Sequence, residues 1–172
     1  AYYERSGLAQ VEVWWEKTES DIYPDWKGEY WPNRDLSGSP ILVRNDETVH
    51  FEWGLGAPDE VLPVDGFSAR WSRWVTFDPG RYVLNAAADD GVRVYVDDEL
   101  VLNEWHISDG ETLYGDEVDL AGRHRVVVVY YENGGEARVT FWWDRIEEQA
   151  APDVYAEGID VIHTQACFDL DA

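Results

Sequence analysis

Apolar residues recur along this chain with a period of two. Val92, Val94 and Val96 fall on one side of a run whose other side carries Arg93 and Tyr95. Ala137, Val139, Phe141 and Trp143 alternate with Arg138, Thr140 and Trp142. Successive side chains of a strand point to opposite faces, so both runs predict strands with one buried face. The same reading predicts strands over residues 26–31, 48–53, 67–77, 81–87, 99–103 and 123–131. Residues 126–129 are all valine and lack alternation, which predicts a strand covered on both faces. Turn residues punctuate the runs. Asp78-Pro79-Gly80 reads as a turn between 67–77 and 81–87, and Asp97-Asp98 as a tight hairpin. Asn133-Gly134-Gly135 joins the last two strands and supplies positive φ. No long helical period occurs. Many short strands at this spacing predict an all-β fold, an antiparallel β-sandwich or barrel.

Composition narrows the picture. Ten Trp and ten Tyr in 172 residues suit a sandwich, where wide flat side chains fill the space between sheets. The net charge is −23, from 36 acidic and 13 basic residues, and only Lys17 and Lys27 are lysines. That balance argues against nucleic acid and against anionic membrane as partners, since both need cationic surface. It fits cation binding, high-salt surroundings or a solvated acidic surface. No run reaches the ~18 apolar residues of a membrane-spanning helix, so no membrane insertion is expected. The single cysteine, Cys167, has no partner for an intramolecular disulfide. With no Met, the sequence is expected to begin at an internal point of a longer protein.

One internal repeat stands out. Residues 2–16 read YYERSGLAQVEVWWE and residues 130–144 read YYENGGEARVTFWWD, with eight identities in fifteen and no gap. Residues 1–17 therefore read as the last hairpin of a preceding copy of the same domain, in a tandem array. A lone hairpin has an unpaired edge, so it must pair within its own chain or complete a neighbouring molecule. This gives a partition into 1–17 (terminal hairpin or donated strand), 18–23 (linker), 24–146 (sandwich) and 147–172 (C-terminal linker or extra strand).

Four stretches, in order, carry a resemblance. They are Trp26-Lys27-Gly28-Glu29-Tyr30-Trp31 with Leu36-Ser37-Gly38-Ser39-Pro40; Phe51-Glu52-Trp53-Gly54 with Phe67-Ser68-Ala69-Arg70-Trp71; Asp89-Asp90-Gly91-Val92-Arg93-Val94-Tyr95-Val96-Asp97; and Gly122-Arg123-His124 with Tyr130-Tyr131-Glu132. Over about residues 24–146 the chain resembles the protective antigen fourteen-kilodalton-type domain, shared by the anthrax protective antigen and the flocculins. The resemblance implies an antiparallel β-sandwich, extracellular or cell-surface placement and carbohydrate binding without catalysis. It also implies a Ca²⁺ site. Asp89 and Asp90, often joined by a cis peptide in the family, match the anionic ligands. Asn133 matches the neutral ligand of a second loop, with the carbonyls of Gly135 and Ala137 completing the set and sugar hydroxyls binding the same ion.

Chemistry supports that set from another side. Ca²⁺ takes about six to eight oxygens, and two adjacent carboxylates repel unless a cation lies between them. The alternative reading of Asp89-Asp90-Gly91 is turn chemistry, with Asp side chains capping backbone amides. Trp105, just beyond the 99–103 strand, is a candidate for stacking on a sugar face, although core packing is the commoner use of a Trp. His50, His106, His124 and His163 lack metal-ligand spacing, and Gly54-Leu55-Gly56 is too short for a phosphate loop. The sequence thus predicts a calcium-dependent carbohydrate-binding adhesion module from a tandem-repeat surface protein, not an enzyme. The competing expectation is a structural repeat or filament subunit that assembles by strand exchange through residues 1–17.

Overall fold

The computed structural model describes residues 18–147, so the expectations for residues 1–17, 148–172 and Cys167 lie outside the described residues. One helical turn, α1 (Glu19–Ile22), precedes eight strands. These are β1 (Trp26–Trp31), β2 (Leu42–Asp46), β3 (His50–Gly54), β4 (Ser68–Asp89), β5 (Gly91–Val96), β6 (Glu99–Glu104), β7 (Tyr114–Tyr131) and β8 (Ala137–Arg145). All pairings are antiparallel. The main order is β2-β1-β4-β7-β5-β6, with β8 joining β3 to β4.

The two long strands bind the halves together. The first half of β4 pairs with β1 and with the second half of β7. Its second half pairs with β8 and with the first half of β7. The inner faces then meet across the sandwich. Trp26 of β1 packs edge-on to Phe141 of β8, and Phe51 of β3 stacks on Trp71 of β4. Trp53 meets Phe67 and Tyr130 in the same layer. Val92, Val94, Ala137, Val139 and Phe141 are buried as their alternation predicts; Val126 and Val128 lie in the core, while Val127 and the half-buried Val129 lie on the outer face under a groove, so that face is only partly covered.

Two sequence expectations are corrected. Asp78-Pro79-Gly80 is not a hairpin turn. The register with β7 shifts between Phe77 and Gly80, and β4 continues through it. Pro79 cannot donate to a ladder, so the chain bulges there and bends instead of reversing. Strand β2 and the first half of β7 went unpredicted, because Arg44-Asn45-Asp46 and Gly115-Asp116-Glu117 look like loop. In contrast, Asp97 and Asp98 take φ of 49° and 69°, the left-handed pair that a two-residue hairpin requires.

Candidate functional site

The end of β4 and the end of β7 meet because β5, which follows β4 after Asp90, pairs antiparallel with the end of β7. Gly91 lies opposite Tyr131, and the Asp90 amide donates to the Tyr131 carbonyl at 3.4 Å. Gly91 is required here, since a Cβ would lie 2.1 Å from the Tyr131 ring. The next residue, Glu132, turns inward and is fully buried. Its amide donates to the Phe67 carbonyl at 2.9 Å, which fixes where its side chain enters the core.

This places three carboxylates in one spot. Oxygens of Asp89, Asp90 and Glu132 lie within 4.8 Å of one another. The peptide bond between Asp89 and Asp90 is cis. Asp90 is buried and already holds backbone: its Oδ2 accepts from the Asn133 amide at 2.7 Å, and its Oδ1 from the Ser108 amide at 3.3 Å. Asp89 is half-buried, and its carboxylate accepts no hydrogen bond from the described residues. Glu132 Oε1 is buried without a hydrogen-bond partner, while Oε2 accepts from the Tyr130 hydroxyl at 3.0 Å. The Tyr130 hydroxyl also meets the Asp89 carbonyl.

The electrostatics follow. Burial pushes the Glu132 carboxyl up to about 7, and the charges of Asp90 and Asp89 add to the effect. Burial also raises Asp89, with Asp90 adding and Arg138 opposing. Burial and the Glu132 charge raise Tyr130, so its hydroxyl stays a donor. The cluster is a concentration of negative charge with open oxygen lone pairs. Ca²⁺ fits that donor set, because it is hard, takes carboxylates at variable geometry and would neutralise the repulsion.

The other predicted residues fall around this cluster with different degrees of contact. Asn133 is adjacent through its backbone, but its side-chain Oδ1 accepts from Arg34. Gly135 has φ of 112°, and its amide donates to Asp65 at 3.1 Å. Ala137 opens β8, buried and opposite Gly54. The 133–135 stretch carries the chain from β7 to β8, which do not pair, so it is a crossing between layers. Trp105 is half-buried, packs edge-on to Tyr131 at 4.6 Å and lies under the Arg93 guanidinium at 4.5 Å. Glu132 is the residue that sequence reasoning missed. It stood inside the Tyr-Tyr-Glu motif and the internal repeat, and nothing local marked it as buried.

The fold has known relatives. The chain is 32% identical over 128 residues to the anti-sigma-I factor RsgI3 of Acetivibrio thermocellus, covering 72% of this chain and 19% of that protein. It therefore spans about a fifth of that relative. A solved anti-sigma factor domain-containing protein superposes with a TM-score of 0.67 at 30% identity, over 73% of this chain and 44% of that one. A PA14 sugar-binding domain from an RTX adhesin superposes with a TM-score of 0.60 at 16% identity, over 70% and 89%. The PA14 domain family matches residues 26–154, and on that match, with the all-antiparallel sandwich built above, the chain belongs to the PA14 domain family.

Proposed function

We propose that this domain is an extracellular, non-catalytic carbohydrate-binding module of adhesin type whose sugar site is organised by Ca²⁺ at Asp89, Asp90 and Glu132. The observation that carries the reading is the buried, unpartnered Oε1 of Glu132 beside two further carboxylates. A buried charge without a partner is expensive, and a bound cation removes that cost. The likeness to a sugar-binding domain of an adhesin supports the choice of ligand. Asp89 is the half-exposed anionic ligand, and Asp90 and Glu132 are the buried ones. Asn133, and the carbonyls of Gly135 and Ala137, supply neutral oxygens from the second loop. The ion, when bound, offers its remaining positions to a pair of sugar hydroxyls. Trp105 borders the site through Tyr131.

Calorimetric titration of Ca²⁺ into chelator-stripped protein tests this. About one ion should bind per domain, and Asp89→Asn/Asp90→Asn should abolish it. Absence of heat at millimolar Ca²⁺ would return the aspartates to turn chemistry. A second reading rests on the repeat at residues 2–16: the domain is one unit of a tandem surface protein, joined or exchanged through that segment. Ladders on size-exclusion chromatography favour exchange, and a sharp monomer removes it.

A further inference from the structure

The outer face of the sheet β1-β4-β7-β5 carries Lys27, Arg70, Arg93, Arg123 and Arg125, of which Lys27, Arg70 and Arg125 are paired with Glu19, Glu29 and Asp98, in a chain with 13 basic and 36 acidic residues. Antiparallel register sets Arg70, Val129, Arg93 and Asn103 in one row. Lys27, Ser72, Val127 and Tyr95 form the next row. Trp74 beside Arg125, then Thr76 beside Arg123, continue the series. The alternate positions of the same strands, Trp71, Val128 and Val94, are core. From Arg123 to Tyr131 the face runs roughly 26 Å at about 3.3 Å per residue.

Two guanidinium groups on this face are held by indoles instead of carboxylates. Arg93 sits over Trp105 at 4.5 Å, and its Nε donates to Asn103 at 2.7 Å. Arg123 sits over Trp74 at 4.7 Å and makes no ion pair among the described residues. Among the described residues neither meets an acid, although acids outnumber cations almost three to one in the chain. Cation–π contact limits the freedom of each group without satisfying its N–H donors. Between them, Arg70, Arg93, Tyr95, Trp105, Arg125 and Val129 line a groove of about 380 Å³, with Asp98 at its rim paired to Arg125. A second hollow of about 270 Å³, walled by Lys27, Trp74 and Arg123 together with Glu19 and Asp25, meets it at Arg125.

We propose that this face binds a linear polysaccharide bearing carboxylates, a polyuronate, laid between Trp105 and Trp74. The guanidinium fork matches a carboxylate bidentately, and each indole pre-orders the fork that meets it. Val127 and Val129 give the floor an apolar strip for the C–H faces of sugar rings. A neutral glycan would leave Arg93 and Arg123 unpaired. A nucleic acid would need many phosphate contacts against a net charge of −23. The sugar part of the assignment rests on the carbohydrate-binding reading above; the anionic part rests on the arginines and needs no Ca²⁺.

The test titrates a short uronate oligomer into the protein in chelator at low salt. Binding should persist without Ca²⁺, weaken as salt rises, and fall at least tenfold for the methyl ester of the same oligomer. Arg93→Gln/Arg123→Gln should lose at least tenfold while keeping the wild-type melting temperature, since both groups lie on the surface. Equal binding of acid and ester, undiminished binding by the arginine variant, or strict need for Ca²⁺ would overturn the proposal. So would equal affinity for poly-glutamate or single-stranded DNA, which would make the face a general anion surface. Should neutral glycans fail with Ca²⁺ while the uronate binds in chelator, the calcium reading falls and this one stands.

Discussion

Asp46 and Glu132 are both buried carboxylates of the same sandwich, and they are finished in different ways. Asp46 is closed by its own chain. Its Oδ2 accepts from the Tyr30 hydroxyl at 2.5 Å and from Trp71 Nε1 at 2.9 Å, and its Oδ1 from Arg44 at 2.7 Å. Arg44 in turn lies over the Tyr30 ring. Even the space is taken up, since a Cβ on Gly28 would fall 2.1 Å from Asp46 Oδ2. Glu132 has the Tyr130 hydroxyl, some help from the Gly134 amide, an Oε1 without a hydrogen bond and two more carboxylates for company. A protein gains nothing in stability from leaving a buried acid open, so the contrast separates a closed structural network from the open cluster for which we propose a cation.

The largest effect should come from breaking the closed network. Asp46→Ala leaves Arg44 without its carboxylate and two buried donors unpaired, and should cost about 3–5 kcal/mol in urea unfolding, with or without Ca²⁺. Next comes the response to the ion itself. Ca²⁺ at a hundredfold excess over its Kd should stabilise the wild type by about 2.7 kcal/mol, and Asp89→Asn/Asp90→Asn should lose that gain. Asp46 shares no hydrogen bond with the cluster, so Asp46→Asn should keep a Ca²⁺-induced rise in melting temperature.

A pH series sharpens the same contrast. The folded Glu132 carboxyl titrates near 7, above the 4.5 of the unfolded chain, so the native state holds the extra proton between those values. Stability in chelator should therefore fall as pH rises from about 4.5 through 7. The raised Asp89 acts in the same direction. Glu132→Gln should flatten this slope in thermal melts, and added Ca²⁺ should do so in the wild type. An unchanged slope in Glu132→Gln would remove Glu132 from the cluster's titration. The smallest effect concerns Arg34, whose guanidinium engages Asn133 Oδ1. Arg34→Ala removes a positive charge near the cluster and frees that oxygen, so Ca²⁺ affinity should rise a few-fold, below about tenfold. A fall in affinity would show Arg34 holding the loop in its binding shape.

Much of this protein was legible in its residues because the physics is local. Period-two alternation gave β5 and β8 their buried faces, Asp97-Asp98 gave a hairpin, and Asp89-Asp90-Gly91 marked the loop. Where local chemistry was ambiguous, contacts far along the chain decided. Pro79 became a bulge because both flanks of β4 found the same partner in β7. Residues 42–46 became a strand because Asp46 had a core network to join. Glu132 reads as an ordinary polar residue after a strand. It became the buried member of the cluster because β5, leaving the end of β4, pairs with the distant end of β7 and so sets Asp89 and Asp90 beside it. Burial and proximity are properties of residues more than forty positions apart, and no window of sequence contains them. The sequence by itself determined the alternating strands such as β5 and β8, the acidic balance and the paired aspartates. Only the tertiary structure decided which carboxylate is satisfied, which is left open, and which arginines share a face.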